Sequence, residues 1–354
     1  MKPAAKIIFL SLFGILLFNS TTMHAQTQTM SSPVEYLNYI NSVEQPISEG
    51  FMAYASSVAH GKSARKVENK RKEMIQSVAN AQAKLKALAP YKGDKSYRDS
   101  TLKCLNMTYK VLNDDYSKIV NMEEVAEQSY DAMEAYYLAQ DIANAKIERA
   151  GVMADSAFHI FARKYEITIN EGETSDLAVR VKKASDAMSY QRKLYLIFFK
   201  PFKQEAYLWD AINKKNLSGV EQNRNSLASL ADDALSKLDT TPAFKNDKSL
   251  INATREFQVF FKDECKNKIG LATNLIIKEE NFNKAKKAFD AKNPAARKQE
   301  DVDTFNAAVA DYNNAAKEYN TASAALNTQR SALLEKWNKA SQVFLDTHVP
   351  KNKK

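Results

Sequence analysis

Lys92-Gly93-Asp94-Lys95-Ser96 is a short polar stretch that occurs a second time in the chain in almost the same form. The second copy, Lys245-Asn246-Asp247-Lys248-Ser249, begins 153 residues after the first. In this register, and without a gap, 14 of the 54 positions from Phe51 to Cys104 are identical to their counterparts. Self-similarity at a fixed offset is the sequence signature of repeated structural units, so the chain is predicted to contain an internal duplication.

The composition favours helices. Glycine and proline each occur only 8 times in 354 residues, and the alternation of apolar and polar residues that is typical of strands is nearly absent. Apolar residues make up 44% of the chain, which argues against disorder, and the length is sufficient for two cores. We therefore predict an all-α fold of two related up-down helical bundles, with long helices and an extended C-terminal helical hairpin.

A short extended stretch bounded by glycine, residues 167–173, is predicted to link the two bundles. The first bundle would comprise residues 26–166 and the second residues 174–345, followed by a basic tail at 346–354. After the region that repeats at an offset of 153 residues, Phe161 is best matched by Phe344, which lies 183 residues later. The second bundle therefore carries about 30 additional residues. We place this insertion near 281–299, where Asn293-Pro294 predicts a turn.

The amino terminus has the pattern of a secretory signal peptide. Lys2 and Lys6 precede an apolar run from Ile7 to Phe18, and Ala25 supplies the small residue that signal peptidase requires. The run is shorter than the roughly 20 residues of a transmembrane helix. We therefore predict a signal peptide at residues 1–25, export to the periplasm or cell surface, and no membrane span after cleavage.

Four carboxylates are the most suggestive polar feature. The region from about 122 to 165 is predicted to form one long helix, whose apolar residues include Leu138 and Ile142. On such a helix, the spacing i, i+3, i+7, i+10 would bring four acidic residues onto one stripe. This stripe is a candidate metal site or a face for a basic partner, although a solvated charged face has the same pattern. Its members are Glu124, Glu127, Asp131 and Glu134.

A second candidate surface is the stretch from Tyr195 to Phe199, which is apolar on every side of a helix. Such a helix is either buried all round or in contact with another chain. Tyr195, Phe198 and Phe199 are therefore candidate partner-binding residues, with burial in the core as the alternative.

The two cysteines leave two interpretations open. Cys104 and Cys265 both follow aromatic or polar core positions at helical spacing, which predicts buried free thiols. An oxidising compartment would also permit a disulfide between them, although its geometry is demanding.

Several classes of function find no support in the sequence. Nucleophile-elbow, phosphate-loop and dinucleotide motifs are absent, and histidines and cysteines do not cluster as a zinc site requires. The formal net charge is +9, but acidic and basic residues are interspersed, so nucleic acid is not an expected partner. We expect no enzyme activity and no cofactor.

Three segments resemble an uncharacterised family of exported bacterial helical surface proteins: Val58 to Glu68, Ser129 to Tyr136, and Tyr195 to Lys200. The resemblance lies in the overall organisation of the chain and implies an exported, surface-associated helical protein. It implies no activity, catalytic residue or cofactor.

Together these features predict an exported, non-enzymatic protein of the cell envelope or surface that binds a protein partner or envelope component or acts as a scaffold. The alternative is a periplasmic helical bundle that binds a ligand or a metal.

Overall fold

The computed structural model describes residues 30–169 and 176–352. It is 86% helical, and no strand occurs in these ranges, which confirms the prediction of an all-α fold. The predicted signal peptide, most of the predicted linker and the last two residues of the tail lie outside them. The α-helices are α1 (Pro33–Ala59), α2 (Ala64–Ala87), α3 (Ser96–Lys110), α4 (Tyr116–Ala126), α5 (Tyr130–Lys164), α6 (Asp176–Asn213), α7 (Leu217–Thr240), α8 (Ser249–Asp263), α9 (Ile269–Asp290) and α10 (Gln299–His348).

Local sequence explains where α1 begins and ends. Ser32 and Glu35 form a capping box that satisfies free backbone N–H groups, and Pro33 occupies the first helical position, where its missing N–H is not needed. Pro46 is accommodated inside the helix, which continues to Ala59. Gly61 follows with a φ of +69°, a left-handed conformation that suits glycine, and ends the helix.

The repeated polar stretch forms the same turn twice. In the first copy Lys92 and Gly93 have φ values of 48° and 83°, and Tyr91 and Asp94 exchange backbone hydrogen bonds. In the second copy the turn runs from Phe244 to Asp247, and both of its central residues also have positive φ. In each copy the aspartate side chain accepts a hydrogen bond from the serine N–H two residues on, at 2.9 Å and 2.8 Å. Each turn therefore starts the helix that follows.

Helix boundaries recur with the offset read from the sequence. The helices α2 and α3 have the same lengths as α7 and α8, at 24 and 15 residues, and each pair begins 153 residues apart. The common ancestry of the two segments stays a prediction, because boundaries alone do not establish it.

Two π-helical segments lie at equivalent places after α3 and α8. We name them π1 (Val111–Asp115) and π2 (Glu264–Lys268). A π-helical turn inserts one residue into a helix and is frequent at functional sites. The chain continues from π1 directly into α4.

The long helix predicted from about 122 to 165 is divided in two. The helix α4 ends at Ala126, and Ser129 adopts an extended conformation with φ −148° and ψ 164°. Its side chain accepts a hydrogen bond from the N–H of Ala132 and caps α5. The single-helix prediction is wrong because this cap interrupts an otherwise continuous apolar pattern.

The chain divides into two compact units. The first runs as far as Arg192 and also includes the segment that begins at Gln342, and the second is Lys193–Ser341. This division falls within α6, whereas the sequence placed the linker at 167–173. In the first unit, the end of α10 contacts the end of α1, where Gln342 Nε2 donates to the Ala59 carbonyl at 3.1 Å.

The predicted C-terminal hairpin is present as α9 and α10, and its turn includes a short 3₁₀ segment, Pro294–Ala296. Phe289 stacks on Phe305, with ring centroids 4.8 Å apart, and the Arg297 guanidinium lies 4.1 Å from the Phe289 ring centroid. Within the ranges that the structure describes, no helix is both long and apolar enough to cross a membrane.

Candidate binding surfaces

The aromatic stretch of α6 is core. Tyr195, Phe198 and Phe199 are only 5%, 3% and 4% exposed. Phe198 stacks on Trp337 at a centroid distance of 4.5 Å and meets Phe257 edge-on at 5.0 Å. The interpretation of this stretch as an exposed partner-binding patch is therefore wrong, because the aromatic rings of the second unit already cover it.

The four carboxylates of the proposed metal stripe do not share a helix. Glu127 follows the end of α4, and Asp131 and Glu134 lie in the first turns of α5 beyond the Ser129 cap. The side chain of Glu124 lies outside the described part of the structure. Among the side chains that are described, no group of three or more histidine, cysteine, aspartate or glutamate residues could hold a metal ion. The geometry on which the metal hypothesis depended is absent.

The second unit contains a buried charge cluster that the sequence did not indicate. Arg330 on α10 bonds through Nε to Glu205 on α6 at 2.6 Å and through an η nitrogen to Glu264 in π2 at 2.8 Å. Trp209 Nε1 donates to the same Glu264 oxygen at 3.2 Å. Glu264 is fully buried and Glu205 is 3% exposed. One guanidinium therefore joins two buried carboxyl groups from different elements.

The environment of Glu264 favours its protonated form. Burial raises the pKa of its carboxyl group, and the neighbouring Glu205 raises it further, while Arg330 and Trp209 oppose the shift only in part. At neutral pH the Glu264 carboxyl is therefore favoured in its protonated form beside Arg330. The cluster has no exposed carboxyl oxygen for a substrate, and we assign it to stability.

The outward face of α5 exposes an apolar stripe. Its members, which we call the α5 stripe, are between 50% and 61% exposed and comprise Leu138, Ile142, Val152 and Ile160. At 100° per residue they fall within about 80° of arc and extend over about 33 Å of helix. The opposite face of α5 packs against α3 and α4. The helix is thus apolar on two faces, and among the described residues only the face toward α3 and α4 is covered.

Acidic residues border this stripe on one side. They recur every seventh residue, are all exposed, and comprise Glu134, Asp141, Glu148 and Asp155. Asp141 forms an ion pair with Arg192 at 3.0 Å, and Asp155 lies 3.6 Å from His159. Glu148 has no ion pair among the described residues. Arg149 is a basic residue that lies on the same face of α5, between Ile142 and Val152. An apolar stripe with a heptad-spaced charged border is the pattern of a helix–helix interface.

The second unit carries a groove of about 560 Å³ between α7, the end of α8, and π2. Arg224 and Asn225 line one side, Val259 and Cys265 contribute apolar surface, and Lys266 lies at the π2 end. This volume falls in the usual range for small-molecule sites. The sequence analysis did not find it, because its residues come from helices that are distant in sequence.

Both cysteines are free and buried, so the disulfide alternative is wrong. Burial raises the pKa of the Cys104 thiol to about 11 and that of the Cys265 thiol to about 12. Neither thiol is therefore a reactive nucleophile near neutral pH.

Comparison of the chain with protein-family models, with curated proteins and with solved structures found no match. The resemblance to exported helical surface proteins therefore stays a prediction.

Proposed function

We propose that this chain is an exported, non-enzymatic protein of the cell envelope or surface, and that it binds a protein partner through the outward face of α5. The observation that carries the proposal is the α5 stripe, a row of four large aliphatic side chains left at least half exposed on one helix face. The four side chains form two pairs, separated by about 15 Å of helix on which Arg149 lies. Exposed apolar side chains grouped on one face are typical of interaction sites. The export component depends on the amino-terminal sequence pattern.

The size of the stripe suits a helical partner. Burying the exposed half of an aliphatic side chain contributes roughly 1 kcal/mol, so four such residues contribute a substantial share of a micromolar interaction. A stripe about 33 Å long and one helix face wide fits the apolar seam of another helix.

The charges beside the stripe specify the partner further. Since the border at Glu134, Asp141, Glu148 and Asp155 is acidic, a helix with basic residues beside its apolar seam would be complementary. An antiparallel second copy of α5 would place two acidic borders together, which disfavours that form of self-association. The proposed partner is therefore a basic amphipathic helix of another protein.

A peptide experiment tests this proposal. The probe is a 21-residue amphipathic peptide with a leucine seam flanked by lysines, and its counterpart carries glutamates in place of the lysines. We expect the lysine peptide to bind in fluorescence anisotropy. The I142S/V152S double variant should weaken binding more than tenfold, since each lost contact is worth roughly 1 kcal/mol.

Val343 and Ile277 provide the matched control, because both are exposed aliphatic residues outside α5. The V343S/I277S double variant should bind the lysine peptide as the wild type does, and Glu148→Lys should weaken it. Equal binding of the two peptides, or wild-type binding by I142S/V152S, would contradict the proposal. Dimers in light scattering that I142S/V152S abolishes would instead identify a second copy as the occupant.

The alternative, a ligand-binding bundle, is favoured by a separate observation, the groove of the second unit. Its metal-binding form loses its basis because the acidic stripe is divided between α4 and α5.

A further inference from the structure

The guanidinium of Arg224 is available to a ligand. Arg224 lines the groove and forms no ion pair among the described residues. Its guanidinium makes one long hydrogen bond, of 3.5 Å, to the amide oxygen of its neighbour Asn225. It lies near enough to the Cys265 thiol to oppose the rise of that thiol's pKa. Arginine is a preferred partner for carboxylates because its planar fork matches their geometry.

In the first unit, the arginine at the equivalent position has internal hydrogen-bond partners. Arg71, at the same place 153 residues earlier, is bonded to both oxygens of Glu68 and donates to the carbonyl of Leu112 in π1 at 2.5 Å. The second unit also has a glutamate at the matching position, Glu221, but no ion pair joins it to Arg224 in the described structure. Arg224 therefore lacks the internal partners that hold Arg71.

The remaining surface of the groove is mainly apolar. Ala228 and Leu235 on α7 and Val259 on α8 line it, and Val259 is 55% exposed. The groove therefore has a cation at one end and apolar side chains along the rest of its length.

The other charges of the groove favour a single negative charge. Lys262 is already paired with Asp232 at 2.6 Å, whereas Lys266 has no ion pair in the part of the chain described. Asp263 lies at the same rim and accepts a hydrogen bond from Asn267. Two available cations opposed by one carboxylate suit a singly charged carboxylate better than a doubly charged phosphate.

We propose that this groove is a binding site for a single-chain apolar carboxylate, such as a medium-chain fatty acid. The ligand's carboxylate pairs with Arg224, and its chain lies along Leu235, Val259 and Cys265. This site is in the second unit and does not depend on the partner-binding role of α5.

Calorimetric titration with decanoate below its micelle concentration tests the proposal, with decanol as the neutral counterpart. We expect one decanoate to bind per chain and decanol to bind at least tenfold more weakly. Arg224→Met should weaken decanoate binding at least tenfold, because it removes the cation that pairs with the carboxylate. Val259→Asp should also weaken binding at least tenfold, because it places a negative charge beside the alkyl chain of the ligand.

Lys237→Met is the matched control, since Lys237 is an exposed cation on the same helix that pairs with Asp233 outside the groove. It should bind decanoate as the wild type does. Circular dichroism establishes that each variant is folded before titration. Absence of decanoate binding, equal binding of decanol, or wild-type affinity in the Arg224→Met variant would overturn the proposal.

Discussion

Glu44 on α1 is a buried acid, only 5% exposed. Within the described part of the chain it has no ion pair, and its Oε1 atom has no hydrogen-bond partner. Burial alone raises the pKa of its carboxyl group from the ordinary 4.5 to about 8. At neutral pH the group is therefore mostly protonated, and its charged form is disfavoured in the folded state.

This residue makes the stability of the first unit dependent on pH. Because the pKa of Glu44 is raised on folding, its contribution to stability is complete below pH 4.5 and is lost as the pH rises through about 8. Between these values the free energy of unfolding should fall by up to about 1.4 kcal/mol per pH unit. Glu44→Met should remove this dependence and be more stable than the wild type at pH 9 by at least about 2 kcal/mol.

Urea unfolding at pH 5, 7 and 9, followed by far-ultraviolet circular dichroism, measures the effect. Trp209 and Trp337, the two tryptophans of the chain, both lie in the second unit, so their fluorescence reports that unit separately. Glu49→Met is the control, because Glu49 is an exposed acid on the same helix. A wild-type pH profile in Glu44→Met would show that Glu44 is not the titrating group.

At the scale of elements, Arg330 links α6, π2 and α10. Its side chain is 17% exposed, and both of its carboxyl partners are almost completely buried. Removing one member of a buried charged group leaves the others uncompensated, which typically costs 3–5 kcal/mol. We expect Arg330→Met to lower the free energy of unfolding of the second unit by about 3 kcal/mol.

Tryptophan fluorescence in urea at pH 7 checks this prediction. Glu264→Gln alone should change stability by less than about 1 kcal/mol, because glutamine resembles the protonated carboxyl that the site favours. The Glu264→Gln substitution, added to the Arg330→Met variant, should restore part of the lost free energy of unfolding. Lys336→Met is the control on the same helix, since its ion pair with Glu256 is exposed and worth little. Equal losses for Lys336→Met and Arg330→Met would contradict the role assigned to the cluster.

Helices and turns were largely predictable, whereas the faces they present were not. The turn at 92–96 and its copy, and the turn near 293–294, follow from local residue preferences. The α5 helix was misjudged in two respects. First, the apolar residues continue at helical spacing through Ser129, so the pattern did not indicate the cap there. Second, the pattern could not distinguish the buried face of α5 from the face on which Leu138 and Ile142 are exposed. Only contacts distant in sequence decide that difference.

At the scale of the whole molecule, the two units share helix boundaries but differ in their polar contacts. Val111 of π1 is an apolar core residue, and its counterpart in π2 is Glu264 of the Arg330 cluster. The offset of 153 residues was readable from the sequence because turn and helix residues recur. The cluster was not readable, because Arg330 lies outside the region that repeats.

The equivalent arginines provide a test of this difference within one chain. Arg71 is 9% exposed and holds a buried carbonyl of π1, so Arg71→Met leaves that oxygen and Glu68 without their donor. We expect it to lower the free energy of unfolding by about 2 kcal/mol. Arg224→Met removes no internal ion pair and should change stability by less than about 0.5 kcal/mol.

Urea unfolding of the two variants, followed by circular dichroism and by tryptophan fluorescence, measures both changes at a single pH. The two substitutions are chemically identical and occupy matching helix positions, so helix propensity affects them equally. A large loss in both variants would mean that Arg224 has an internal structural role like that of Arg71, and the groove would then lack an available cation. A large loss confined to Arg71→Met would leave Arg224 available to a ligand, which is the condition that carboxylate binding requires.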